Sequence, residues 1–226
     1  MHYYELVGLP GTGKTTALRA LRRSGIVRNV EHVAHEVMSS RSKIGALGSR
    51  ALQQLSPELG RRLDGGPQFR AASEFIDARP DMAFTWLDAI RSVDHPTRRK
   101  TLYRLTFTSF ANYAYLDKHA DTEAIVMVDE GLAQRAAALI DLNTDPDILA
   151  SGFPPVAGIV YLEAEDALSL QRCTQRGDSN PERTHARRSS IDAFVARIGA
   201  DVLRISADSP REMLVHRIAR HIKKTR

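Results

Sequence analysis

The chain has 226 residues, 42% of them hydrophobic, a length and composition that suit one compact domain spanning residues 1–226. Its single cysteine, Cys173, excludes a disulfide framework and a four-cysteine zinc site, and no apolar run approaches the roughly 20 residues needed to span a bilayer. A cytoplasmic protein with no membrane partner is therefore expected, and the formal charge of +5 favours anionic ligands without choosing among nucleotide, nucleic acid and acidic lipid.

The first predicted element is a short strand at residues 3–7, which runs into Gly8-Leu9-Pro10-Gly11-Thr12-Gly13-Lys14-Thr15. This is the pattern GxxxxGK[ST]. Glycines let successive amide N–H groups turn inward into a nest for a β-phosphate. Lys14 then brings positive charge to the β- and γ-phosphates, and the Thr15 hydroxyl is placed to ligate Mg²⁺. Residues 16–23 read as a helix whose N-terminal end adds to the attraction for phosphate. Gly8, Pro10, Gly11, Thr12, Gly13, Lys14, Thr15 and Thr16 are thus the expected ATP-binding residues.

Residues 29–36 form a weaker candidate strand that ends in Glu36. A helical middle follows, with Phe69, Phe75, Phe84, Trp86, Tyr103, Phe107, Phe110, Tyr113 and Tyr115 expected mostly in the core. Tyr103, Phe107 and Phe110 have the i, i+4, i+7 spacing of a buried helix seam. Arg98, Arg99 and Arg104 at the start of that helix are candidates for an acceptor phosphate, against the commoner solvated face.

The apolar run 124–128 reads as a buried strand delivering Asp129 and Glu130 at its carboxyl end. In a parallel α/β sheet that end faces the ligand crevice, so Asp129 is expected to hold Mg²⁺ through water and Glu130 to orient an acceptor. Strands at 156–162 and 202–206 flank a helix at 165–176, where Arg172 and Arg176 share one face, one to stack on adenine and the other to reach phosphate. Residues 177–188, with Asn180-Pro181 as breaker, read as a mobile lid carrying Arg183 and Arg187. Each strand is followed by a helix, which predicts an α/β fold built as a three-layer, doubly wound parallel sheet.

Taken together, residues 8–15, Val128-Asp129-Glu130, and Val160-Tyr161-Leu162-Glu163 followed by Arg172-Cys173-Thr174-Gln175-Arg176-Gly177 resemble the nucleoside and nucleotide kinase branch of the P-loop kinases, such as thymidylate, adenylate and deoxynucleoside kinases. The resemblance covers nearly the whole chain. It implies five parallel strands with the phosphate-loop strand central, an acceptor site covered by helices within about 42–120, adenine contact near Arg172 and phosphate contacts from Arg176 and the lid arginines. Two departures stand out. Thymidylate and deoxynucleoside kinases usually carry an arginine where Glu130 stands, and Glu36 lies near the general-base carboxylate of deoxynucleoside kinases in a different flanking pattern, with His35 and Glu130 as competing bases.

The expected activity is ATP- and Mg²⁺-dependent phosphoryl transfer, catalysed by Lys14, Asp129, Glu130, Glu36, Arg176, Arg183 and Arg187, to a small-molecule acceptor that is a nucleoside or nucleotide. A sugar, an antibiotic or another hydroxyl compound is an alternative acceptor. A polynucleotide 5′-hydroxyl kinase and a non-catalytic nucleotide-binding module are further alternatives, with nucleic acid the less favoured partner. A homodimer stays open. No Asn-Lys-x-Asp element of a GTPase and no Leu-Ser-Gly-Gly element of a transporter ATPase is present.

Overall fold

A computed structural model describes residues 2–30, 33, 57–118, 124–175 and 183–225, the side chains of 57–67 and 183–186 excepted. The elements are β1 (His2–Gly8), α1 (Lys14–Arg23), β2 (Arg28–Asn29), α2 (Pro57–Ala78), α3 (Pro80–Arg91), α4 (Pro96–Lys118), β3 (Ile125–Asp129), α5 (Leu132–Ile140), α6 (Pro146–Ser151), β4 (Gly158–Glu163), α7 (Asp166–Gln175), α8 (Arg183–Val195), β5 (Val202–Ser206) and α9 (Arg211–Lys224). All strand pairings are parallel, in the order β2-β3-β1-β4-β5.

Strand β1 is central because five consecutive residues, Tyr4 to Gly8, are buried, as a strand covered on both faces requires. The pleat sends Tyr4 and Leu6 to one side, where they pack with Ala17, Leu18 and Leu21 of α1 and Leu214, Ile218 and Ile222 of α9. Val7 faces the other side, against a larger core that includes Phe75, Trp86, Phe110, Tyr113, Leu132 and Phe194. Helices on both faces of one parallel sheet make three layers. Trp86 is fully buried and donates its indole N–H to Gly152 O at 3.2 Å, so its polar atom is satisfied within the core.

The structure corrects two expectations and refines a third. The strand expected at 29–36 is only Arg28–Asn29, and Val30 and Val33 are helical. Both valines are buried, and their spacing of three is that of a helix stripe; a strand would show alternation. Glu36 and His35 lie outside the described residues. The lid expected as a loop through residue 188 is helical from Arg183, shortly after Pro181, a residue suited to the start of a helix. Phe69 and Phe84 are exposed at 68% and 57%, whereas Phe75, Trp86, Phe110, Tyr113 and Tyr115 are core. In the seam of α4, Phe110 is fully buried and Tyr103 and Phe107 pack against its edge. Among the described residues, no helix is long and apolar enough to cross a membrane.

Candidate functional site

The loop between β1 and α1 is shaped by three glycines in positive-φ conformations, Gly8, Gly11 and Gly13. A Cβ on Gly8 would lie 2.5 Å from Leu162 O, and one on Gly11 would lie 2.9 Å from Ser169 O. Gly13 meets nothing, so there the requirement is conformational only: at φ 82° it turns the chain into the first residue of α1. Thr12 closes the turn, its N–H and its hydroxyl both donating to Leu9 O, at 3.3 and 2.9 Å.

Lys14 is folded into this loop. Its Nζ donates to Gly8 O at 2.8 Å and to Leu9 O at 3.0 Å, and the side chain is buried. Thr15 and Thr16, on the first turn of α1, are exposed. That turn carries no acidic residue and no side-chain cap, the setting in which a helix N-terminus favours an anion.

Asp129 stands at the carboxyl end of β3, opposite Leu6 in the ladder, two residues before Gly8. The helix after β1 lies on one face of the sheet and the helix after β3 on the other, since Leu18 belongs to one core and Leu132 and Ala133 to the opposite one. Strands whose connections diverge in this way commonly open a crevice at their carboxyl ends, and Lys14, Thr15, Asp129 and Glu130 stand at those ends of β1 and β3. Glu130 has φ 54°, a left-handed backbone conformation, and is largely exposed, with its carboxylate 3.4 Å from the Arg135 guanidinium. Burial pushes the Arg135 pKa down, opposed by Glu130.

Three further side chains fix the loop, and of these only Arg172 is a sequence candidate. Gly8 N donates to Gln134 Oε1 at 3.3 Å, linking the loop to α5. From α7, Ser169 donates its hydroxyl to Pro10 O at 2.5 Å and Arg172 donates to Gly11 O at 3.2 Å. Arg172 also lies 3.8 Å from Asp208, in the turn after β5. The i, i+3 spacing of Ser169 and Arg172 puts both on one helix face and was the available signal.

Beneath the Asp129 turn lies Glu5, fully buried in β1. Its carboxylate accepts from Leu132 N and Ala133 N, each at 2.8 Å, and from the Tyr113 hydroxyl of α4. It thereby caps α5, whose own N-cap, Gly131, has no side chain to do so. A Cβ on Gly131 would collide with the Glu5 carboxylate, so that glycine is required by space. Burial raises the Glu5 pKa to about 7, against the lowering effect of its three donors, and burial together with Glu5 raises that of Tyr113. A lone carboxylate in an otherwise apolar central strand was the signal for such a partner set.

The remaining sequence candidates are more dispersed. Arg187 pairs with Asp141 at 3.2 Å, at the end of α5 away from the loop. Its neighbour Arg188 pairs with Asp166 at 2.8 Å and also donates to Ala164 O. Arg183 opens α8, but its side chain lies outside the described residues, as does all of Arg176. Arg98 and Arg99 are half-buried at the start of α4, where Arg99 reaches Val93 O at 3.4 Å, and Arg104 is exposed. Among the described residues no group of three or more His, Cys, Asp or Glu side chains is placed to hold a metal by itself. No protein-family model matches the chain, and no curated protein is significantly similar to it.

Proposed function

We propose that the protein is an ATP-dependent phosphotransferase acting on a small molecule, with a nucleoside or nucleotide as the leading acceptor class. The observation that carries this reading is the meeting of the 8–15 loop and Asp129 at the carboxyl ends of β1 and β3, where the connecting helices diverge to opposite faces.

The residues present fit a Mg²⁺-bound triphosphate. The positive-φ glycine turns have the backbone form of an anion-binding nest, Lys14 supplies a cation within the loop, and the first turn of α1 carries no acidic residue. Thr15 and Asp129 offer the oxygen donors that Mg²⁺ prefers while leaving room for water in its shell. When bound, the nucleotide supplies the phosphoryl group. Lys14 exchanges its two loop carbonyls for phosphate oxygens, and Ser169 and Arg172 hold the loop carbonyls in place behind it. Arg172 contacts the loop backbone and Asp208, which puts it between the phosphate loop and the turn after β5, on the side where a base would lie. Glu130 orients the acceptor, and Arg135 beside it supplies positive charge at the same rim. Phosphoryl transfer asks chiefly for such positioning and charge.

A sugar or other uncharged hydroxyl compound is the second reading for the acceptor. Glu130 favours it, because an exposed carboxylate at the rim suits a hydroxyl better than a phosphate.

The test is ATP consumption with Mg²⁺ against nucleosides, nucleoside monophosphates, sugars and short oligonucleotides, with Lys14→Ala as control. One acceptor class is expected to raise turnover, and Lys14→Ala to remove at least 100-fold of it, roughly the contribution of a phosphate-directed cation. Turnover that Lys14→Ala leaves intact would overturn the assignment.

A further inference from the structure

The layer formed by α1 and α9 is electrostatically unlike the rest of the molecule. These two helices hold nine lysines and arginines against the single Glu212, an excess greater than the +5 of the whole chain, so the remainder is net acidic. Arg19, Arg23, Arg211, Arg217, Arg220, Lys223 and Lys224 are all exposed. None of these seven makes an ion pair with a carboxylate among the described residues. On the opposite face, Arg79, Arg135, Arg187, Arg188, Arg197 and Arg204 are each paired with one, and the exposed Arg70, Arg91, Lys100 and Arg104, which among the described residues are not, are spread over three helices.

The two helices lie side by side, since Leu18 and Leu21 share a core with Leu214, Ile218 and Ile222. Both start at the carboxyl ends of their strands and finish at the opposite edge of the sheet, where Tyr4 near the start of β1 bonds Thr225 at the end of α9. Arg23, Arg220, Lys223 and Lys224 therefore gather at one end of this layer, with Arg19 and Arg217 near the middle of their helices and Arg211 in the first turn of α9. Cations in a last helical turn complement the helix dipole, which accounts for a few of them. It does not account for Arg19, Arg217 and Arg220, which precede the last turn, or for the near absence of carboxylates.

We propose that this face binds the phosphate backbone of a double-stranded nucleic acid without regard to sequence. Charge complementarity carries the choice of a polyanion. Neither helix contains Phe, Tyr or Trp, so there is no platform for stacking unpaired bases, which points to a duplex over a single strand. An anionic membrane fits less well. The only large exposed hydrophobic residue of the two helices, Met213, sits in the first turn of α9, away from the cation cluster, and interfacial helices anchor through an apolar face. The far end of the cluster, at Arg23, lies about one length of α1, roughly 15 Å, from the 8–15 loop, and Arg19 about half of that. A duplex docked there does not place its end in the candidate phosphotransfer site, so the inference is independent of the proposed activity.

The experiment is fluorescence anisotropy with a labelled 25-base-pair duplex, comparing the protein with two charge-matched variants. Arg217→Glu/Arg220→Glu/Lys223→Glu alters the face; Arg70→Glu/Arg91→Glu/Lys100→Glu places the same charge change on α2 to α4. Binding is expected at 50 mM salt, weakening on the order of 100-fold by 200 mM if about four phosphates are contacted. The α9 variant should lose at least 30-fold and the control variant no more than threefold. Thermal melting checks both folds, and Arg19→Glu/Arg23→Glu on α1 provides the same test should the α9 variant not fold. Absence of binding at 50 mM salt overturns the proposal. So does an equal loss in both variants, or binding to vesicles rich in anionic lipid with none to the duplex.

Discussion

Glu5 gives the sharpest test of the architecture, because two opposing effects act on one buried carboxylate. Burial favours the protonated acid, and three donors, Leu132 N, Ala133 N and the Tyr113 hydroxyl, favour the anion. Burial prevails, with a folded-state pKa of about 7 against 4.5 for the ordinary group. The folded state then binds more protons at Glu5 than the unfolded one between these values, so the stability this group contributes is fully present below pH 4.5 and is lost as pH rises through 7. The shift corresponds to about 3 kcal/mol in all, most of it falling between pH 5 and pH 8. Glu5→Gln keeps an acceptor for the helix cap but cannot ionise. Urea unfolding of both proteins at pH 5 and pH 8 isolates the effect, because other titrating groups cancel in the difference between the two proteins. The variant is expected to gain about 2–3 kcal/mol relative to the parent between the two pH values, whatever fixed offset the lost acceptor imposes. An offset identical at both pH values, or one that moves the other way, would show that the donors hold Glu5 ionised and refute the reasoning.

Other substitutions probe the same framework. Gly131→Ala should destabilise the fold by about 1–3 kcal/mol in urea unfolding, because its methyl group meets the Glu5 carboxylate in a closed space. Gly11→Ala should cost more than Gly13→Ala in thermal melts: both sit at positive φ, but only Gly11 also faces a carbonyl, Ser169 O, at 2.9 Å. Asp129→Asn should leave stability nearly unchanged while raising the Mg²⁺ concentration needed for half-maximal ATP turnover about tenfold or more. Arg172→Ala should weaken ATP binding, read by isothermal calorimetry, by roughly fivefold through loss of its support of Gly11 O, with little change in unfolding midpoint.

The elements nearest the candidate site were the most legible in the sequence. Residues 202–206 read as a strand and form β5 with the same bounds, and the apolar run before Asp129 became β3 with a one-residue shift. These segments are buried or bounded by turn residues, so local pattern and tertiary structure agree. The short β2 was overcalled because an edge strand paired on one side needs only two residues, and the valines beyond it serve a helix. Most of the nine aromatics lie in the core as expected, but which two, Phe69 and Phe84, stay exposed is not legible, because aromatic identity alone does not say which face of a helix is covered. Gln134, Ser169 and Glu5 escaped notice for a different reason. Each acts on a partner far along the chain, with separations of 126, 159 and 127 residues, and no local period announces such pairs.

The placement of Asp129 relative to the glycine loop is over-determined, and Glu5 is the reason. The parallel ladder sets Leu6 opposite Asp129, which fixes the two strand ends in register. Glu5, one residue earlier on β1, reaches under the Asp129-Glu130-Gly131 turn and holds the first two amides of α5. Gln134, one residue beyond the second of those amides, returns to Gly8 N at the top of β1. Strand, turn and helix thus form a closed loop of contacts that begins and ends on β1, so the Asp129 turn cannot move away from the loop without breaking a buried hydrogen bond. Tyr113 extends this circuit to α4, and through the stacked rings of Phe75 and Phe110 to α2. Removing the Tyr113 hydroxyl should therefore loosen the inserted helices from β1 while leaving the two backbone bonds to Glu5 in place. Tyr113→Phe is expected to cost about 1–2 kcal/mol and to speed amide exchange in α4 more than in α5. Equal acceleration in both helices would mean that Glu5 does not hold α5 on its own.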